Sequence, residues 1–186
     1  MRLLPIVALC STLLTSTAFA AKAPTGEVRL RPQDSRLEQV LKEGARRSTT
    51  FKALVDRIEA SNVIVYVAIN PVMKSNLSGM LTWMTRTGDY RYVRASIRPD
   101  LTFDQMIATL AHELQHAVEV IEDESVVDEK SLVALYRRIG HQNSNVAPAR
   151  WETTAAQQAG FRVRRELGSA PPAASTIARA SISQML

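Results

Sequence analysis

Apolar positions recur along this chain with two distinct periods, and the switch between them marks the elements. From Ser35, Leu37, Val40 and Leu41 fall three and four apart, the spacing of one helical face, and Gly44 is expected to break that helix. Phe51, Leu54, Val55 and Ile58 repeat the pattern, with Ser48 or Thr49 as the capping residue. Arg46 and Arg47, between the two, suit a helix C-terminus, where unpaired carbonyls favour positive charge. The period then shortens. Asn62 to Ala68, NVIVYVA, is an almost unbroken β-branched and aromatic run that predicts a strand buried on both faces, ended by Asn70-Pro71. Gly79–Arg86 and Tyr90–Arg98 predict two more strands joined as a hairpin by Thr87-Gly88-Asp89. In the second of these Tyr92, Arg94 and Ser96 alternate with Val93, Ala95 and Ile97, so one face is more polar.

Helical spacing returns at Thr102 and holds to Glu122. Thr102 and Gln105 form a T-x-x-Q capping box, and Leu101 and Met106 occupy the positions of a hydrophobic staple. Met106, Leu110, Leu114, Ala117, Val118 and Ile121 make one apolar stripe, with His112, His116 and Glu119 roughly opposite. An acidic turn, Glu122-Asp123-Glu124, reads as exposed charge at the helix end. A short helix over 129–139 and a polar irregular stretch over 140–149 follow. A last helix is predicted over 150–167, with Trp151, Ala155, Ala156, Gly160 and Val163 available for packing. Two N-terminal helices, a sheet of about three strands and C-terminal helices amount to a small α+β domain over 35–167. An extended lead-in at 21–34 precedes it, and a flexible tail follows from Gly168.

The N-terminus reads differently. Arg2, the apolar run Leu3–Leu14 and Ala18-Phe19-Ala20 have the layout of a secretory signal peptide cleaved after Ala20. The mature chain is then expected in the periplasm or outside the cell, with no stable membrane span. Cys10, the only cysteine, lies inside that segment, and the large Leu9 before it argues against a lipoprotein signal. A mature chain without thiols must build any metal site from histidine and carboxylate. The net charge of +5 comes from scattered arginines, which points away from nucleic acid.

Histidine is scarce, and two of the three residues lie in His112-Glu113-Leu114-Gln115-His116. Four apart on a helix, both imidazoles can point at a single Zn²⁺ ion. Glu113, rotated by roughly 100° from His112, can reach a water on that ion without binding the metal itself. One zinc per chain is expected, and a catalytic site needs a third protein ligand. Glu119 lies along the same helical face, Glu152 is expected on the last helix, and His141 sits in the polar stretch. Convergence from different directions favours Glu152, with Glu119 and His141 as alternatives.

Strands followed by an H-E-x-x-H helix and a later helix bearing Glu resemble the gluzincin group of zinc metallopeptidases. The chain also resembles exported bacterial proteins of unassigned function that share HELQH and a later E-T-x-A-A segment, here Glu152-Thr153-Thr154-Ala155-Ala156. The gluzincin resemblance implies a zincin-like fold, His112, His116 and Glu152 as zinc ligands, and Glu113 as general base. Many gluzincins carry a histidine-orienting Asp four residues after the ligand glutamate; Ala156 stands there. The short chain also lacks room for a large substrate-binding subdomain. Hydrolysis of a peptide bond is the expected activity, with a peptide or protein substrate paired along the edge of Tyr90–Arg98. His141 and Tyr136 are candidates for stabilising the oxyanion. Two other readings stay open: a metal-binding or interaction module without turnover, and a basic exported domain that associates with anionic surfaces.

Overall fold

Gly88, with φ at +57°, makes the turn at which the chain doubles back, because only glycine enters that conformation without strain. The strands it joins, β3 (Gly79–Thr87) and β4 (Tyr90–Ile97), pair antiparallel. The computed structural model describes residues 28–74, 76–143 and 150–169. The expected signal peptide, most of the lead-in and the tail beyond Ser169 lie outside them.

β4 also pairs in parallel with β2 (Val63–Ile69), and β2 in parallel with β1 (Leu30–Pro32), giving the order β1-β2-β4-β3. The sheet therefore has four strands, one more than the hydrophobic pattern predicts. β1 falls in the expected lead-in, and its start is fixed by a remote group: Glu59 accepts the backbone N–H groups of Arg29 and Leu30 at 2.9 and 3.0 Å. Three residues carry too little alternation to read as a strand. The bulge between Trp83 and Thr85 adds twist midway along β3.

Helices α1 (Ser35–Arg47), α2 (Thr49–Glu59) and α5 (Thr154–Ser169) bury one face each in the core, against α3 (Phe103–Glu122). α1 runs through Gly44 instead of breaking there. A Cβ on Gly44 would stand 2.9 Å from the Phe51 ring, so the glycine admits the ring rather than ending the helix. Ser48 caps α2 by accepting from Phe51 N–H at 2.9 Å. α4 (Glu129–Ile139) carries the capping box of Asp128 and Ser131. Beyond it β5 (His141–Asn143) forms where irregular chain is expected and pairs antiparallel with β6 (Arg150–Glu152), which stands where the start of the last helix is expected.

α3 is the central element. Both halves of its Thr102–Gln105 capping box form. Its last turn has no basic residue, and its C-terminal carbonyls are met from the sheet instead: Arg91 donates to Val120 O at 2.6 Å and Asp123 O at 2.8 Å. The helix is buried nearly all round, so the face opposite the apolar stripe is covered too.

Candidate metal centre

The capped, uninterrupted helix sets His112 and His116 one turn apart, ring centroids 5.0 Å from each other. His112 is half-buried, and Glu113, His116 and Glu119 are buried. Glu152 arrives from a different element. It ends β6, one residue before the cap of α5, and is not on the last helix as expected. Gly140 allows that approach, since a Cβ there would stand 2.8 Å from both Glu152 O and Tyr136 O. Glu152 Oε1 lies 3.1 Å from His112 Nε2 and 3.7 Å from His116 Nε2.

One ligand atom from each of His112, His116 and Glu152 lies within 4.8 Å of the others, so the three can hold a metal ion. Two ligands of a tetrahedral ion bonded at 2.0–2.1 Å stand about 3.3–3.4 Å apart. The two N···O distances bracket that separation, so Glu152 stands at ligand spacing from both histidines.

Glu119 takes another place. Its Oε2 lies 2.8 Å from His116 Nδ1, and its Oε1 accepts the Thr153 hydroxyl at 2.5 Å. Thr153 in turn accepts the N–H of Ala156 at 3.1 Å, capping α5. A His116 ring that donates from Nδ1 to Glu119 keeps the Nε2 lone pair for an ion. Burial disfavours charge on His116, but hydrogen bonds to Glu119 and Glu152 outweigh it and raise its pKa to about 10. Burial likewise opposes the Glu152 carboxylate, yet hydrogen bonds from His112 and His116 hold its pKa far below the usual range.

Tyr136 closes the back of the site, its ring edge-on to His116 at 5.3 Å. Its hydroxyl is buried without a hydrogen-bond partner. Burial raises the phenol's pKa well above the ordinary value, and the carboxylates of Glu119, Glu113 and Glu152 add to the rise. The phenol therefore stays a donor. An orphaned donor beside three ligand-competent groups is the kind of exception that calls for an absent partner.

His112, Glu113, His116, Tyr136 and Glu152 line a cleft of about 850 Å³, bordered also by α4, β3 and Trp151, and by Gln157, Gly160, Phe161 and Arg164 of α5. Gly79 of β3 faces Glu113 so closely that any Cβ would collide with its Oε1. The strand beside the cleft is thus β3. Tyr90–Ile97, expected to offer a free edge, is an interior strand between β2 and β3, while β3 ends the strand order. His141 pairs in register with Glu152, but it is exposed and does not line the cleft. Sequence reasoning missed Gly79 and Thr153; the cap position ahead of α5 was the one available signal for Thr153. No protein-family model, curated protein or solved structure matches this chain.

Proposed function

We propose that the chain is a zinc-dependent peptidase of gluzincin type, exported by its N-terminal signal peptide. The observation that carries the reading is the meeting of His112, His116 and Glu152 beside Glu113, in a cleft bordered by an edge strand. The all-nitrogen-and-oxygen ligand set suits zinc among the common catalytic ions. A zinc ion held there supplies Lewis-acid chemistry, acidifying a water and polarising a carbonyl.

The chain's own groups do the rest. Glu113, which lines the cleft with its Oε1 against Gly79, accepts the proton of the attacking water and delivers it to the leaving amine. The Tyr136 hydroxyl, buried and unpartnered, donates to the oxygen on which charge develops. The outer edge of β3 pairs with an extended peptide through backbone hydrogen bonds, fixing the scissile bond over Glu113.

The test combines metal content with turnover. Purified protein is expected to hold one zinc per chain and to cleave an unstructured protein such as casein, with activity lost to a chelator and restored by zinc. Glu113→Gln should keep the metal and lose at least about 10²-fold in rate, the usual contribution of general-base catalysis. His112→Ala should lose both. A zinc-loaded protein inert towards every peptide would instead indicate a metal-binding module, and a protein that takes up no zinc would end both readings.

A further inference from the structure

The cleft carries charge unevenly. Glu113, Glu129 and Glu152 line it, and among the described residues Arg164 is the only lysine or arginine that does so. Its neighbours on α5 are engaged: Arg162 donates to Gln158 Oε1 at 3.0 Å, and Arg165 lies over the Phe161 ring at 5.9 Å. Arg164 is exposed, and neither a hydrogen bond nor an ion pair holds its guanidinium among the described residues. A bidentate cation left open on the wall of a cleft whose other charged residues are carboxylates is a receptor for an anion, above all for a carboxylate.

Chain directions place that receptor relative to the chemistry. Thr153 meets Glu119 near the C-terminal end of α3, and Gly160 packs on Ala108 and His112, so α5 runs antiparallel to α3. Arg164 therefore lies one turn beyond Gly160, about 6 Å further towards the N-terminal end of α3. β3 begins beside Thr109 and Glu113, and its far half pairs with Arg91, which reaches the carbonyls that end α3. A peptide added antiparallel to β3 thus runs with its C-terminal half towards Gly79 and Arg164. At about 3.3 Å per residue, a long arginine side chain placed there meets the first to third residues after the scissile bond. Phe161, one turn before Arg164 and largely exposed on the same wall, gives the intervening residue an apolar surface.

We infer that Arg164 selects peptides carrying a carboxylate on the C-terminal side of the cleaved bond, from an acidic side chain or from the peptide's own C-terminus. The inference rests on the peptidase reading and names its substrate class. Near the metal the three carboxylates repel an acidic group, so acceptance is confined to the Arg164 end.

The experiment uses the full zinc-loaded protein and matched fluorogenic peptides bearing Glu, Gln or Lys at the second residue after the cleaved bond. Each is also made with a free or an amidated C-terminus ending at that position. Cleavage is read as kcat/KM, and binding by anisotropy to the zinc-loaded Glu113→Gln protein. Wild type is expected to prefer Glu over Lys by about tenfold, an exposed charge-assisted pair being modest and salt-screened. Arg164→Gln should level the preference, Arg164→Glu should invert it, and Arg162→Gln should leave it unchanged. A preference that follows the free C-terminus rather than Glu assigns the carboxylate to the peptide end, and the inference stands. Equal handling of all peptides by wild type, or discrimination that survives Arg164→Gln, overturns it. Charge-dependent binding without cleavage of any peptide upholds the Arg164 site and removes the peptidase reading instead.

Discussion

His116 depends on a carboxylate three residues further along its own helix. At i+3 from His116, Glu119 fixes the Nδ1 side of the ring, and Thr153 fixes Glu119. The helical wheel showed that Glu119 shares a face with the histidines, which made it a rival ligand. Which ring nitrogen it meets depends on rotamers and on a threonine 34 residues away, and no spacing rule contains that. Glu119→Gln should therefore weaken zinc binding by about 10–100-fold while leaving a measurable site. Glu152→Gln should weaken it further. Zinc titration against a competing chelator separates the two, and a Glu119→Gln protein that binds zinc like wild type would remove the orienting role.

β3 and α3 meet closely at one point, and the position of Glu113 depends on it. Gly79 opens the strand, and the Glu113 carboxylate fills the space a side chain would take. Gly79→Ala must push aside Glu113, Thr109 or the strand. Misplacing a reacting group by about 1 Å can cost on the order of 10²-fold in rate. We expect a loss of that size in kcat/KM with zinc stoichiometry intact, since His112, His116 and Glu152 lie outside the collision. Unchanged turnover in a folded Gly79→Ala protein would show that the close approach does not set the base. Long elements such as α3, α4 and the β3–β4 hairpin were legible because periodicity, caps and turn residues are local signals. β1, β5 and β6 were not, each being a three-residue strand held by its partner rather than by its own pattern. The misplacement of Glu152 onto a helix follows from this, because β6 is too short to announce itself ahead of α5.

α5 ties the candidate metal centre to the opposite end of the described chain. Its N-terminal cap holds Glu119, its buried face packs on α3, and near its C-terminus Glu166 reaches the junction of α1 and α2. There Glu166 accepts the hydroxyls of Ser48 at 2.5 Å and Thr50 at 2.6 Å, and the Thr50 N–H at 3.1 Å. The helix that follows Glu152 is thus anchored by residues more than a hundred positions earlier, a closure that hydrophobic spacing cannot encode. Burial alone would raise the Glu166 pKa, but the hydrogen bonds from Ser48 and Thr50 outweigh it and the pKa falls below the ordinary 4.5. A carboxyl whose folded pKa is depressed contributes stability that is fully present above the unfolded value and is lost as pH falls through the folded one. Glu166→Gln should accordingly destabilise the protein at pH 7 by about 1 kcal/mol, the lower end of the range for bonds to a charged acceptor because the site is partly exposed. The difference from wild type should shrink as pH falls below the ordinary carboxyl value of 4.5 and through the depressed native one. Thermal melts of both proteins, zinc-free and across that pH range, measure it. A constant gap down to pH 2 would mean that Glu166 acts through packing and not through its charge, and that the anchoring of α5 does not titrate.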